Sequence, residues 1–182
     1  MKKLYTYKKD SFNTAVFSLM TYYKVLNFNL YEAPQIDNSK LKKLYDNSTE
    51  LLGTVFNTNT EYYGLFYEVE KHFGALGSFY DFVPKSGTYS MQLPSSYVLI
   101  KIAVEKAIKW LKNTKDFTLI VWFPMHFTQT EKMSVDALPS LEIQTDLLPI
   151  FEESEYLKET YKHKTKNLLG SYYNYKVLVL SS

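Results

Sequence analysis

Residues 117–123 read FTLIVWF, apolar but for Thr118. A strand with one wet face alternates polar and apolar side chains, and this one does not, so both of its faces must be covered. The segment before it supplies a cover. Tyr97 to Lys112 places Lys101, Glu105, Lys109 and Lys112 on one stripe and apolar residues on the rest, an amphipathic helix. Ahead of that helix, Thr88 to Leu93 alternates weakly and ends at Pro94, after which Ser95 or Ser96 supplies a cap. Strand, helix and strand in succession predict a layered α/β arrangement with a parallel pair at its centre.

The flanking sequence extends this pattern. Residues 10–26 carry Phe12, Val16, Leu19, Met20, Tyr23 and Leu26 at helical spacing, with Asp10 or Ser11 as cap. LKKLYDNSTELLG reads as a short helix stopped by Gly53, Thr54 to Asn59 as a strand entering a turn, and Glu61 to Phe73 as a helix closed by Gly74 and Gly77. Ser78 to Val83 is a further strand candidate. Met125 to Asp146 reads as a long polar loop, Leu147 to Tyr161 mixes a strand with a helical turn, and Tyr175 to Leu180 reads as a closing strand. The alternation predicts an open, doubly wound, mostly parallel sheet with helices on both faces and antiparallel strands only near the end. We expect one domain over residues 1–182, with a helical part at 1–45 and a sheet core at 46–182.

Composition excludes several chemistries. The 182 residues contain no Cys, which removes disulfides, thiolate nucleophiles and Cys-ligated zinc. His72, His126 and His163 have no ligand spacing among them, so no metal is expected. No stretch approaches the ~20 apolar residues of a membrane span, and MKKLYTYKKDSFN lacks the apolar run of a signal peptide. The expected location is intracellular, nucleus or cytoplasm. The net charge is +2 and all 21 cationic side chains are Lys. Without Arg there is no planar fork for bidentate phosphate recognition, so a polyanion must be held by ammonium point charges and aromatic faces. Lys158, Lys162, Lys164 and Lys166, with His163 and Tyr156, Tyr161, Tyr172 and Tyr173 nearby, form the one cluster suited to RNA. The favoured reading of the same cluster is a solvated loop balancing the acidic run Glu152 to Glu155.

Several of these segments together resemble a known family. GSFYDFVPKSG at residues 77–87 is similar to the glycine, Asp-Phe-x-Pro and Ser-Gly series of the phosphorylated-CTD-interacting family, the cap-specific adenosine N6-methyltransferases. VFSLMTYYKVLNFNLY, TLIVWFP, LLPIFEESEY and NYKVLVLSS resemble its leading helix, next strand, Leu-Pro-x-Phe turn and last strand, so the likeness runs patchily from Val16 to Ser182. It implies a Rossmann-like fold that uses S-adenosylmethionine. It also implies donor contacts from Phe56, Asn57 and Asn59, with Asp81 either on the donor's ribose or amine or capping a turn.

The resemblance fails at one corner. The family has Asn-Pro-Pro-Phe where this chain has Gln92, Leu93, Pro94 and Ser95. In that motif the Asn oxygen and the first Pro carbonyl accept hydrogen bonds from the adenine amino group, and the ring stacks the base. Gln92 carries its amide one methylene further out, and a displacement of about 1 Å costs ~10²-fold in rate. Ser95 cannot stack a base, which forfeits roughly 1–3 kcal/mol, and Leu93 loosens the turn. A Pro before a Ser cap is also an ordinary way to begin a helix. The expectation is a catalytically degenerate, methyltransferase-like chain. It would bind RNA or support a protein partner, such as an active methyltransferase or a transcription or capping subunit. The alternatives are an active adenine N6-methyltransferase with a divergent motif and a purely structural interaction subunit.

Overall fold

The computed structural model describes residues 9–25, 36–55, 57–94, 96–125, 146–166 and 172–182. In chain order the elements are α1 (Lys9–Val25), α2 (Ser39–Asp46), β1 (Thr49–Glu50), α3 (Tyr67–Glu70) running into the 3-10 turn η1 (Lys71–Phe73), and β2 (Gly87–Gln92). Then follow α4 (Tyr97–Asn113), β3 (Phe117–Met125), α5 (Leu148–Glu152), β4 (Leu157–Lys166) and β5 (Tyr172–Ser181). The strands form one sheet in the order β1-β2-β3-β5-β4.

The strand directions overturn the mostly parallel, Rossmann-like methyltransferase fold. β1 pairs with β2 and β2 with β3 in parallel, but β5 runs antiparallel to both β3 and β4, and these are the longest registers in the sheet. The result is a small mixed sheet with few helices. Chain length supplies the reason. A parallel return needs a crossover of about a dozen residues or more, and β4 and β5 are separated only by residues 167–171. A hairpin is the geometry that remains for β4 and β5, and β5 also runs antiparallel to β3 on its other side.

The apolar run forms β3, and period-2 alternation divides it between the two faces. Phe117, Leu119, Val121 and Phe123 point to one side. They join Met91, Leu93, Leu178 and Leu180 under α4, which contributes Leu99, Ile100, Ala103, Val104, Ala107, Trp110 and Leu111. Leu148 and Phe151 of α5 close the same cluster. Ile120 and Trp122 point to the other side, both buried, where they meet Tyr175, Val177 and Val179 beneath Leu41 and Tyr45 of α2. Burial of each such side chain contributes about 1.5–3 kcal/mol, so β3, covered on both sides, is the most heavily stabilised strand.

Local departures from the sequence pattern have local causes. α2 stops at Asp46, so Glu50 belongs to a strand and not to a helix. The described residues between Thr54 and Asn59 belong to no strand, and the expected helix over Glu61 to Phe73 shrinks to α3 and η1. Gly64 bridges Ser78 in parallel, and a Cβ there would lie 2.0 Å from Glu70 Oε2. That carboxylate lies at the start of α3, where it accepts from Phe66 N at 2.7 Å. Ser78 to Val83 keeps only this bridge and otherwise turns. β4 extends through the Lys-rich segment that reads as a loop in the sequence. Most of the expected loop after Met125 and the expected Ser95 cap fall outside the described residues; Ser96 holds the N-cap position of α4 without a side-chain capping bond.

Candidate functional site

The parallel β1-β2-β3 half brings the carboxyl ends of its strands together, where ligands gather in open α/β sheets. Gln92 is the last residue of β2, and the ladder continues one step beyond it through Leu93 N–H to Trp122 O at 3.0 Å. The Gln92 side chain is only 4% exposed. Its Oε1 accepts from Asn57 Nδ2, and its Nε2 donates to Tyr175 Oη, both at 3.3 Å. Asn57 is held in turn because its Oδ1 accepts from Thr54 N at 2.7 Å and Thr54 Oγ1 at 2.9 Å, a side-chain turn of the kind Asn favours. The turn after β1 and the corner after β2 thus meet at one end of the sheet.

A buried carboxylate underlies this corner. Glu50 Oε1 accepts from Gln92 N at 2.8 Å, Glu50 Oε2 accepts from Ser90 Oγ at 2.6 Å, and Ser48 Oγ donates to Ser90 Oγ at 2.9 Å. Burial raises the Glu50 carboxyl above the ordinary carboxylate value, while the bonds from Ser90, Gln92 N–H and Leu52 N–H pull it back. Glu50 therefore clamps β1 to the end of β2. Sequence reading missed it, and the available signal was an acidic residue set directly before Leu51, Leu52 and Gly53.

The remaining candidates disperse. Leu93 is fully buried and Pro94 is buried, so both pack the corner. Asn59 is exposed and lies along a groove beneath α1 that also includes Phe12, Val16, Tyr62 and Phe73. Asp81 is exposed in the turn after Phe79, where its charge acts on Lys106 of α4. Phe56 and Ser95 lie outside the described residues. The residues expected around a methyl donor are thus spread over three places.

The lysines form a second locality. Lys158 sits at a bulge in β4, whereas Lys162 pairs with Lys176, Lys164 with Asn174 and Lys166 with Tyr172. Lys162 and Lys164 project to one face of β4, and both line a groove of about 330 Å³ with Met125, Asn174, Tyr175 and Lys176. The intervening His163 also lines it, with its ring 5.1 Å from that of Trp122 and its Nε2 buried without a hydrogen-bond partner. No group of acidic and His side chains suited to a metal ion occurs among the described residues.

A family profile described as the phosphorylated CTD interacting factor 1 WW domain matches residues 1–161. The chain belongs to that family. No curated protein matches it at a significant level. The match to the phosphorylated CTD interacting factor 1 WW domain family ends inside β4, so β5 and the last-strand resemblance lie beyond it. The family description supports neither a methyltransferase domain nor its degenerate motif. WW modules dock proline-rich segments in a groove lined by exposed aromatic rings. Here Trp110 is 6% exposed and Trp122 is 1% exposed, and each belongs to a core. In this member of the phosphorylated CTD interacting factor 1 WW domain family the two indoles hold the sheet together and present no groove. Among the described residues no helix is long and apolar enough to cross a membrane.

Proposed function

We propose that the chain is a binding subunit that engages a protein partner bearing phosphorylated segments and performs no methyl transfer at the Gln92 corner. The observation that carries this reading is the engagement of the Gln92 amide at both ends inside a buried network. An amide that orients an adenine amino group must offer its oxygen to the ligand. The oxygen of Gln92 is already committed to Asn57, and releasing it would strand both partners in a dry site. The dispersal of Asn57, Asn59 and Asp81 supports the further reading that S-adenosylmethionine is not held. The phosphorylated partner is inferred from membership of the phosphorylated CTD interacting factor 1 WW domain family.

Two measurements test this. Labelled S-adenosylmethionine with capped RNA should give no transfer to the RNA, and calorimetry should show no binding of the donor. Turnover abolished by Gln92→Ala would overturn the reading. A phosphoserine peptide should bind more tightly than its unphosphorylated twin, and equal affinities would remove the phosphorylated partner.

A further inference from the structure

We propose that α1 is a strap over an apolar groove, and that the buried contact between Tyr23 and Glu70 is a proton-controlled latch that holds it down. Among the described side chains of α1 only Leu19 and Tyr23 are buried. Phe17, Met20 and Tyr22 are exposed, and Phe12, Val16 and Leu19 line a groove of about 850 Å³ together with Val55, Tyr62 and Phe73. Ring contacts add to the docking, with Phe12 6.0 Å from Phe73 and Tyr22 stacked on Phe66 at 4.7 Å. An element with so few buried apolar side chains opens before the core does.

The latch joins α1 to α3. Tyr23 Oη donates to Glu70 Oε1 at 2.5 Å, and Glu70 Oε2 accepts from Phe66 N at 2.7 Å. Glu70 is fully buried, and Gly64 lies so close that a Cβ there would come within 2.0 Å of Oε2. The fold needs a polar partner at this place but not a charge, because an amide would bond both groups with no carboxylate to desolvate. What the carboxyl adds to the joint is titration.

The surroundings set the direction of the response. Burial raises the Glu70 carboxyl, and the bonds from Tyr23 and from Phe66 N–H pull it back. The titratable groups that face it are Tyr23 of α1 and Tyr62 of the segment before α3, both raised by burial and then by the Glu70 charge, so both stay neutral. On its own helix Glu68 pairs with Lys71 at the surface, and His72 lines the groove. Among the described residues no cation acts on the carboxyl. An ionised Glu70 is therefore better hydrated with the strap open than with it docked. Docking is strongest below the ordinary value of 4.5 and weakens as pH rises through the raised value.

The test is amide hydrogen exchange on the whole chain, corrected for the intrinsic rate at each pH, with peptides from α1 and β3 followed from below pH 4.5 to above neutrality. α1 should be less protected than β3 throughout. Its protection should fall by up to about tenfold per pH unit above 4.5 and then level off. The dye anilinonaphthalene sulfonate should gain fluorescence over the same range as the groove is uncovered. Glu70→Gln should make α1 protection independent of pH, and Tyr23→Phe should lower it severalfold even in acid. If α1 protection in the native chain does not change with pH, the proposal is overturned, whether or not the variants fold. Equal protection of α1 and β3 at every pH overturns it as well, because α1 would then open only with the whole fold. A pH response that persists in Glu70→Gln has the same result, since another group would be the latch.

Discussion

Under α4 and α5 the sheet presents Met91, Leu93, Leu119, Val121, Phe123, Leu178 and Leu180, a continuous aliphatic and aromatic surface. Under α2 the same strands present Ser90, Gln92, Ile120, Trp122, Tyr175 and Val177, with Glu50 beside them and His163 against Trp122. One face is held by non-directional burial. The other mixes burial with directional bonds, and it also retains buried polar atoms without hydrogen-bond partners among the described residues: Tyr45 Oη, Trp122 Nε1 and His163 Nε2. Buried polar groups are normally satisfied, so such atoms mark a region shaped by more than stability. The closed Gln92 corner belongs to this second face.

The comparison can be broken by substitution. The largest effect should come from the apolar face: Phe123→Ala, at a fully buried position, should cost about 3–5 kcal/mol in chemical denaturation. A loss below that range would mean this face is not the rigid one. Next comes Glu50→Ala, which strands Ser90 Oγ and Gln92 N–H in a dry site. At about 1–3 kcal/mol for each stranded group, the loss should exceed that of Glu50→Gln, which keeps an acceptor. Equal losses for the two variants would show that the network is not bonded as described.

A smaller effect sharpens the contrast. Trp122→Phe removes volume but also removes an indole N–H that lacks a partner. Its cost should therefore stay below about 2 kcal/mol, because removing an unsatisfied buried group recovers part of the packing loss. A cost equal to that of Phe123→Ala would mean that the indole nitrogen is satisfied in solution.

The smallest effect is in the pH dependence, where two groups oppose each other. The folded-state Glu50 carboxyl lies above its ordinary value of 4.5, so its stabilisation is complete below about that pH and is lost as pH rises through the raised value. Burial lowers His163 below 6.5, with Asp37 acting weakly in the other direction. Its contribution is complete above that pH and is lost as pH falls through the lowered value. Glu50→Gln should flatten the alkaline decline in part, since the buried Glu70 shares it, and His163→Phe should flatten the acidic decline. Denaturation midpoints across this range check both signs, and unchanged slopes in either variant would refute the corresponding assignment.

Much of this was legible in the sequence, but unevenly. The burial of β3, the amphipathic α4 and the corner at Gln92 followed from composition and period, because each depends on contacts that repeat along a single element. Glu61 to Phe73 misled because its apolar spacing is helical, while Gly64 is required at a close approach to Glu70, a residue whose position depends on Tyr23 of α1. Tyr23 Oη donates to Glu70 Oε1 at 2.5 Å across 47 positions, a contact that no local pattern encodes.

What the sequence determined by itself was the inventory of chemistry. It fixed an Arg-free, Cys-free chain with one strand that must be covered on both faces. Tertiary structure decided strand direction and the use of each polar group. Direction depends on which strands become neighbours and on how much chain joins them, and the short 167–171 connection forces β5 antiparallel to β4. The use of Gln92 depends on Asn57 and Tyr175 arriving from 35 positions before it and 83 after it. An amide at a strand end is an open acceptor or a closed joint according to what packs against it, and packing is a property of the assembled fold.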